Sequence, residues 1–313
     1  MSTEITLIKI DGKPLEKLIG VISKGVGKLY KPKEIRKEAD ARAYEIRVIE
    51  EAKSMAKSKS LEIEQDTFQR MEERVQHREL NRQKNIDNIN FIAAEQLTQE
   101  KEVSEEPLDD DWINRFFRIA EDVSNDEMQS IWGRILAGEV KRPKSYSIRT
   151  LELLKNITKE EAQVFNKFGQ IGLLSGVNHF VYDPDSGKFL ESEFDISFAD
   201  KLILSEVGLI STKDNLELTF KALDKEPGSS LIFHGDKAMQ INREIGAPIV
   251  KIQVIIFSKA GAELLQLLKQ SNNMNYINKL GQVFKNNKVK VKYGDIVVFP
   301  GQSYQMSNAI DLV

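Results

Sequence analysis

Residues 33–97 contain neither proline nor glycine, and no other feature restricts the fold of this chain as strongly. Charged side chains of both signs recur three or four residues apart, as in Arg42 and Glu45, a spacing that brings side chains together on one helical surface. The segment therefore predicts one long helix or two helices end to end. At about 1.5 Å per residue this is a rod of about 90 Å.

The rod carries three apolar seams separated by polar stretches. A helix this polar gains little stability alone, so we expect the protein to be a homo-oligomer built on its helical half. A coiled coil, a bend or hairpin at a register break, and a solvated helix with local seams all stay open. The seams are Ala41, Tyr44, Val48, Ala52 and Met55; Phe68, Met71 and Val75; and Ile86, Ile89, Ala93 and Leu97.

A second strong pattern lies between Lys13 and Lys31, where an apolar stripe and a row of lysines lie on opposite sides of a helical wheel. Such a helix suits a bilayer interface, with the lysines on anionic lipid. The alternative is a helix that packs on protein and leaves its lysines in water. Three glycines weaken the helix in water. The residues predicted to contact a membrane or a partner are Leu15, Leu18, Ile19, Ile22, Val26, Leu29, Lys17, Lys24 and Lys28.

Composition restricts the function classes. The net charge of −3 gives no general attraction to nucleic acid, and the chain has no cysteine, which suits a reducing cytoplasm. We found no secretory signal, no apolar run long enough to span a membrane, and no phosphate loop or metal-ligand spacing. Asp109, Asp110 and Asp111 are better explained as helix-capping residues than as metal ligands. We therefore expect no cofactor, no metal, no catalytic residues and no enzymatic activity.

Capped helices follow the acidic, polar segment at 99–106. Asn125 is a predicted N-cap, and Thr158 with Glu161 forms a predicted capping box. The run from Trp132 to Glu139 (WGRILAGE), with Pro143, Ser147, Arg149, Leu151, Leu154 and the Thr158 box, resembles a helical module of bacterial proteins similar to the abortive-infection-alpha family. The resemblance covers about 109–175. It implies a bacterial or phage-related origin and a role in phage defence, and it carries no active-site residues.

From about residue 172 the pattern changes to strands and short helices. Residues 216–220 alternate as a strand, 230–241 predict a hairpin across Gly235 and Asp236, and 249–257 form the strongest strand. Helices are predicted at 198–206, after Ser258 and at 276–284, and a last strand at 289–299. Together they predict a small antiparallel sheet in an α+β domain, with a winged-helix arrangement as one candidate.

The fold class is therefore mainly α with a C-terminal α+β domain. We predict an amphipathic segment at 1–32, a helical rod with an acidic linker at 33–106, a helical module at 107–171 and the α+β domain at 172–313. The favoured function is a non-enzymatic defence protein in the cytoplasm, peripheral at the inner face of the membrane and triggered by a phage or host protein. The alternative is a nucleic-acid-binding regulator that uses Lys288, Lys290 and Lys292.

Overall fold

The computed structural model describes residues 12–27, 65–98, 100–211, 213, 216–286, 288–298 and 304–312. The chain separates into two units, an N-terminal one that ends at Leu151 and a C-terminal one that begins at Glu152. The proposed division into four parts stays a prediction. The first seam of the rod lies outside the described residues, as do Lys28 and Leu29.

Helices build the described part of the N-terminal unit, and side-chain caps set several of their starts. Asp109 accepts a hydrogen bond from the Trp112 N–H at 2.9 Å, and Asn125 accepts one from the Met128 N–H at 3.0 Å. Both predicted helix starts are thereby confirmed. The helices are α1 (Lys13–Val26), α2 (Gln65–Leu97), α3 (Asp110–Ala120), α4 (Asp126–Lys141) and α5 (Ile148–Asn156), and the division between the units falls within α5.

The core of the N-terminal unit is aromatic. Phe116 stacks on Trp112 at 5.1 Å between ring centroids and lies 5.4 Å from Trp132, and all three side chains are buried. The third seam of the rod packs in this core, because Ile89 and Ala93 are fully buried on α2. Helix α4 approaches α2 so closely that a Cβ at Gly133 would lie 2.5 Å from Ile92. The third seam therefore finds its partner within its own chain.

The second seam behaves differently from the third. Met71 keeps 42% of its surface exposed and Val75 is half-buried, while the described side chains of α2 become buried only from Ile86 onward. The structure thus describes a 33-residue helix whose second half packs in the unit. A coiled coil over the whole of 33–97 stays a prediction.

The C-terminal unit is an α+β domain, as predicted. The predicted capping box at Thr158 is confirmed, with bonds of 2.7 Å and 3.2 Å to Glu161, as is the cap at Ser258. Its helices are α6 (Lys159–Gly169), α7 (Lys188–Phe194), α8 (Phe198–Glu206), α9 (Lys259–Leu265) and α10 (Met274–Val283). Its strands are β1 (Leu173–Ser175), β2 (Asn178–Tyr182), β3 (Leu216–Phe220), β4 (Gly228–His234), β5 (Lys237–Arg243), β6 (Val250–Ile256), β7 (Val289–Val298) and β8 (Tyr304–Asp311).

The eight strands in the described part of the chain form one antiparallel sheet in the order β3-β6-β2-β1-β4-β5-β7-β8. This sheet is larger than the small sheet we expected, because β1, β2 and β8 were not predicted. One face is the core of the unit, where Tyr276 contacts Tyr182 and the ring of Phe284 packs on Phe220. The predicted hairpin across Gly235 is confirmed, with His234 paired to Lys237.

Candidate interaction site at helix α1 and the acidic strap

Helix α1 is defined by residues that start and stop it locally. Pro14 occupies its first turn, where a missing N–H costs nothing. Gly27 ends it in the left-handed conformation, with φ of 71°, and its N–H donates to the Ser23 carbonyl. The amphipathic helix was correctly predicted, but it ends at Val26 rather than near Lys31.

The apolar stripe of α1 lies against α2, α3 and α4. Leu18 and Ile22 are fully buried and Leu15 is 8% exposed, while Ile19 and Val26 are half-buried. Burying each such side chain stabilises the unit by roughly 1.5–3 kcal/mol. Of the two alternatives for the stripe, the structure contains the one in which it packs on protein. Contact of these residues with lipid stays a prediction.

Gly25 serves packing rather than flexibility. A Cβ at this position would lie 2.0 Å from the Phe117 ring, far inside van der Waals contact. The glycine therefore lets α1 approach α3 closely. Gly20, in contrast, has nothing within 4 Å of its would-be Cβ. The interpretation that the glycines mainly weaken the helix is thus incomplete, because Gly25 and Gly27 have packing and capping roles.

The lysine side of α1 faces a segment that we call the acidic strap, residues 100–110, with six acidic residues and one lysine. Lys13 Nζ lies 3.7 Å from a carboxylate oxygen of Glu105, and Lys24 forms an ion pair with Asp110. Lys17 Nζ donates a hydrogen bond of 2.7 Å to the Ser104 carbonyl. Each described lysine of α1 therefore has a partner on the strap.

The other side of the strap is fixed to the end of α4 and the turn that follows. The Ser104 N–H donates to the Lys141 carbonyl at 3.0 Å, and Lys141 Nζ donates to Glu100 at 2.6 Å. Lys144 adds an ion pair with Glu106. We interpreted most of this segment as a linker by composition, whereas the structure shows it bonded along its length. Ion pairs between residues far apart in the chain leave no periodic pattern from which they could be predicted. The available signal for this contact is the presence of an acidic run and a cationic helix in the same chain.

Glu139 holds the turn to which the strap is attached. Its side chain is 2% exposed and accepts hydrogen bonds from the backbone N–H groups of Lys144 at 2.6 Å and Tyr146 at 2.9 Å. This explains the glutamate of the WGRILAGE run as a structural acceptor. The sequence marked it only as part of a packing motif.

The charges at this site are weakly held, with one exception. The side chains of Lys13 and Glu105 are 78% and 91% exposed, and those of Lys24 and Asp110 are 55% and 62% exposed. Exposed ion pairs are each worth about 0–1 kcal/mol and are screened by salt. Lys17 is the exception, because its half-buried ammonium group donates to the Ser104 carbonyl. Burial lowers the pKa of this group, and the Glu106 and Glu139 carboxylates oppose that change.

Neighbouring carboxylates at two places in the chain, Asp183 with Asp185 and the aspartates that begin at Asp109, have structural roles. Asp183 accepts from the Gly187 N–H at 2.6 Å and Asp185 from the Phe189 N–H at 2.8 Å, which makes this stretch a turn leading into α7. Asp109 caps α3. Among the described residues, no three histidine or acidic side chains lie where they could hold a metal ion together.

The lysines of the alternative hypothesis lie at the start of β7 and directly before it. Lys288, Lys290 and Lys292 are all exposed. Lys290 pairs in register with Asn242 and Lys292 with Gln240 on β5, and Lys292 Nζ lies 3.8 Å from Asp311. The three lysines therefore form a short basic row on the solvent side of the sheet.

Comparisons with known proteins complete the description of the site. The model of a family described as "Protein of unknown function (DUF2806)" matches residues 69–281. No curated protein and no solved structure matched the chain. In the part of the chain that the structure describes, no helix is both long and apolar enough to cross a membrane.

Proposed function

We propose a function from the premise that the chain belongs to the DUF2806 family, whose model covers residues 69–281. The protein is a non-enzymatic bacterial defence protein of the abortive-infection type that self-assembles through its helical half and acts at the inner face of the membrane. The observation that supports this best is the lysine side of α1, where Lys13 and Lys24 are largely exposed and are held only by exposed ion pairs.

The buried stripe limits how α1 can meet a bilayer. Exposing Leu18 and Ile22 to water would cost roughly 3–6 kcal/mol for those two side chains alone, so α1 does not leave the N-terminal unit before it reaches a bilayer. An anionic surface attracts nearby lysines by about 1 kcal/mol each without any extraction. The proposed contact is therefore electrostatic and peripheral, with α1 still docked, and assembly multiplies it by avidity.

For self-assembly the described part of the chain offers the second seam, where Met71 is 42% exposed and can contact a second copy. The first seam, which lies outside the described residues, is a further candidate by its sequence alone. Sedimentation equilibrium of the full chain tests this part of the proposal. Oligomers at micromolar concentration are expected, and a monomer there would refute assembly. A phage or host protein is the proposed trigger.

The membrane part is tested by flotation of the full chain with phosphatidylglycerol vesicles, with phosphatidylcholine vesicles for comparison. Lys13→Gln with Lys24→Gln should weaken binding to the anionic vesicles and reduce protection in a phage plating assay. Lys155→Gln with Lys159→Gln removes the same charge from exposed positions elsewhere and should change neither result. Equal binding to both lipids would refute an anionic surface as the partner.

A second candidate function is nucleic-acid binding through β7, which the basic row of Lys288, Lys290 and Lys292 favours. A winged-helix arrangement stays the proposed form of this alternative. Lys290→Gln with Lys292→Gln should then weaken a DNA mobility shift and reduce its dependence on salt. No shift at low salt with the unchanged protein would exclude this candidate.

A further inference from the structure

The lysines that α1 would present to a bilayer are already paired within the chain. Lys13 contacts Glu105, Lys17 donates to the Ser104 carbonyl, and Lys24 contacts Asp110. We propose that the acidic strap is an electrostatic latch, which pairs with the lysines of α1 and releases Lys13 and Lys24 when an anionic bilayer competes for them. This inference rests on the proposed membrane function and adds its regulation.

The strap contacts α4 and α1 in different ways, and this difference decides which of its contacts can open. Toward α4 the strap is anchored by a backbone hydrogen bond, from the Ser104 N–H to the Lys141 carbonyl at 3.0 Å, and by the bond of Lys141 to Glu100 at 2.6 Å. Toward α1, two of the three contacts join side chains that are more than half exposed. Lys13 and Lys24 can therefore leave the strap, while the bond of Lys17 to the Ser104 carbonyl and the bonds to α4 keep the strap in place.

The ion pairs between α1 and the strap are about as strong as the attraction of the same lysines to an anionic membrane. An exposed ion pair changes an equilibrium constant by at most about fivefold, and a lysine near an anionic membrane surface gains about the same factor. A neutral lipid surface does not attract the lysines, so in its presence they stay paired with the strap. The buried stripe of α1 takes no part in this exchange, because Leu18 and Ile22 remain in the core.

The chain offers a matched pair of variants to test the latch. Glu105→Gln with Asp110→Asn removes the two carboxylates that form ion pairs with Lys13 and Lys24 and leaves Asp109 as the cap of α3. Glu160→Gln with Glu206→Gln makes the same change in net charge at exposed positions of the C-terminal unit. In flotation with phosphatidylglycerol vesicles, the first variant should bind about three- to tenfold more tightly than the unchanged protein, and the second should bind equally well.

A second measurement follows the latch in the unchanged full chain. A carbodiimide joins an amine and a carboxylate that are in contact, so it should produce a crosslinked peptide containing Lys24 and Asp110. Phosphatidylglycerol vesicles should reduce the yield of that peptide at least threefold, and phosphatidylcholine vesicles should leave it unchanged. An unchanged yield in protein bound to anionic vesicles would overturn the latch.

The outcomes separate the two proposals. If the unchanged protein binds anionic vesicles and the strap variant binds no better, the latch is wrong and the membrane function stands. If neither protein binds anionic vesicles at low salt, the membrane function is wrong and the latch falls with it. If the control variant gains as much as the strap variant, net charge explains the effect and the latch is overturned.

Discussion

At the scale of single residues, His234 links the β4–β5 hairpin to the rest of the C-terminal unit. Its ring is 4% exposed, with Nδ1 3.3 Å from the Tyr293 hydroxyl and Nε2 3.2 Å from the Gln170 carbonyl. Burial lowers the pKa of His234, opposed by the hydrogen bond to Gln170 and by the charge of Asp236. The histidine is therefore a structural residue of the hairpin in its neutral form.

This arrangement predicts how stability depends on pH. Because the folded pKa lies below the unfolded value of 6.5, the contribution of His234 is fully present above pH 6.5 and is lost as the pH falls toward the folded pKa. The loss is at most about 1.4 kcal/mol per pH unit. His234→Asn should make the decline between pH 7.5 and 5.5 shallower in urea unfolding followed by circular dichroism. An unchanged slope would assign the pH dependence to other groups, such as His179, whose pKa burial also lowers.

Asn90 gives a second prediction at this scale. Its side chain is fully buried on α2, and neither its oxygen nor its nitrogen has a hydrogen-bond partner among the described residues. A buried amide without partners costs about 1–3 kcal/mol, so Asn90→Leu should stabilise the N-terminal unit by about that amount. Asn88 donates to Gln129 at 3.2 Å, so Asn88→Leu should destabilise it. Both tryptophans of the chain are buried in this unit, so their fluorescence in urea reports the two shifts. Destabilisation by both variants would contradict the prediction.

At the scale of elements, substitutions of two glycines in α1 distinguish a role in packing from a loss of helix stability. Gly25→Ala places a Cβ against the Phe117 ring and should destabilise the N-terminal unit by about 1–3 kcal/mol. Gly20→Ala meets no neighbour and should stabilise it by up to about 1 kcal/mol through helix propensity. Tryptophan fluorescence during thermal unfolding measures both. Stabilisation by Gly25→Ala would show that this glycine only weakens the helix.

Elements whose signals are local could be predicted from the sequence, and elements defined by distant partners could not. The N-caps at Asn125 and Ser258 bond to residues three positions away, and both were predicted. Strand β1 has only three residues, and β8 (YQMSNAID) shows no alternation, so neither carries a strand signal. They are strands because of the neighbours they pair with.

The candidate site follows the same rule. The amphipathic wheel predicted both sides of α1, since helical periodicity is a local property. What each side contacts depends on the tertiary structure. Phe117 lies about 90 residues after Gly25 in the chain, and Glu105 lies about as far after Lys13. No periodicity relates such positions, so the sequence left open whether the stripe meets protein or lipid.

At the scale of the whole molecule, the two units predict where the chain can be divided. A fragment of residues 158–313 retains the Thr158 cap and all eight strands, and we expect it to be soluble and to unfold cooperatively. A fragment of residues 101–313 lacks α1 and α2, which cover the aromatic core around Phe116, and we expect it to aggregate. Native-like tryptophan fluorescence from soluble 101–313 would show that α3 and α4 form a core without them.

The order of strands in the sheet has a consequence for synthesis on the ribosome. The β1–β2 hairpin is made first, yet its neighbours β4 and β6 emerge about 45 and 70 residues later. At about 5–20 residues per second, the hairpin waits several seconds with both edges open. The N-terminal unit is complete by then, because its helices precede β1. During those seconds Phe180 and Val181, fully buried in the finished sheet, are exposed to chaperones and to other nascent chains. The interval between β2 and β6 is therefore when slow translation or truncation exposes this protein to misassembly.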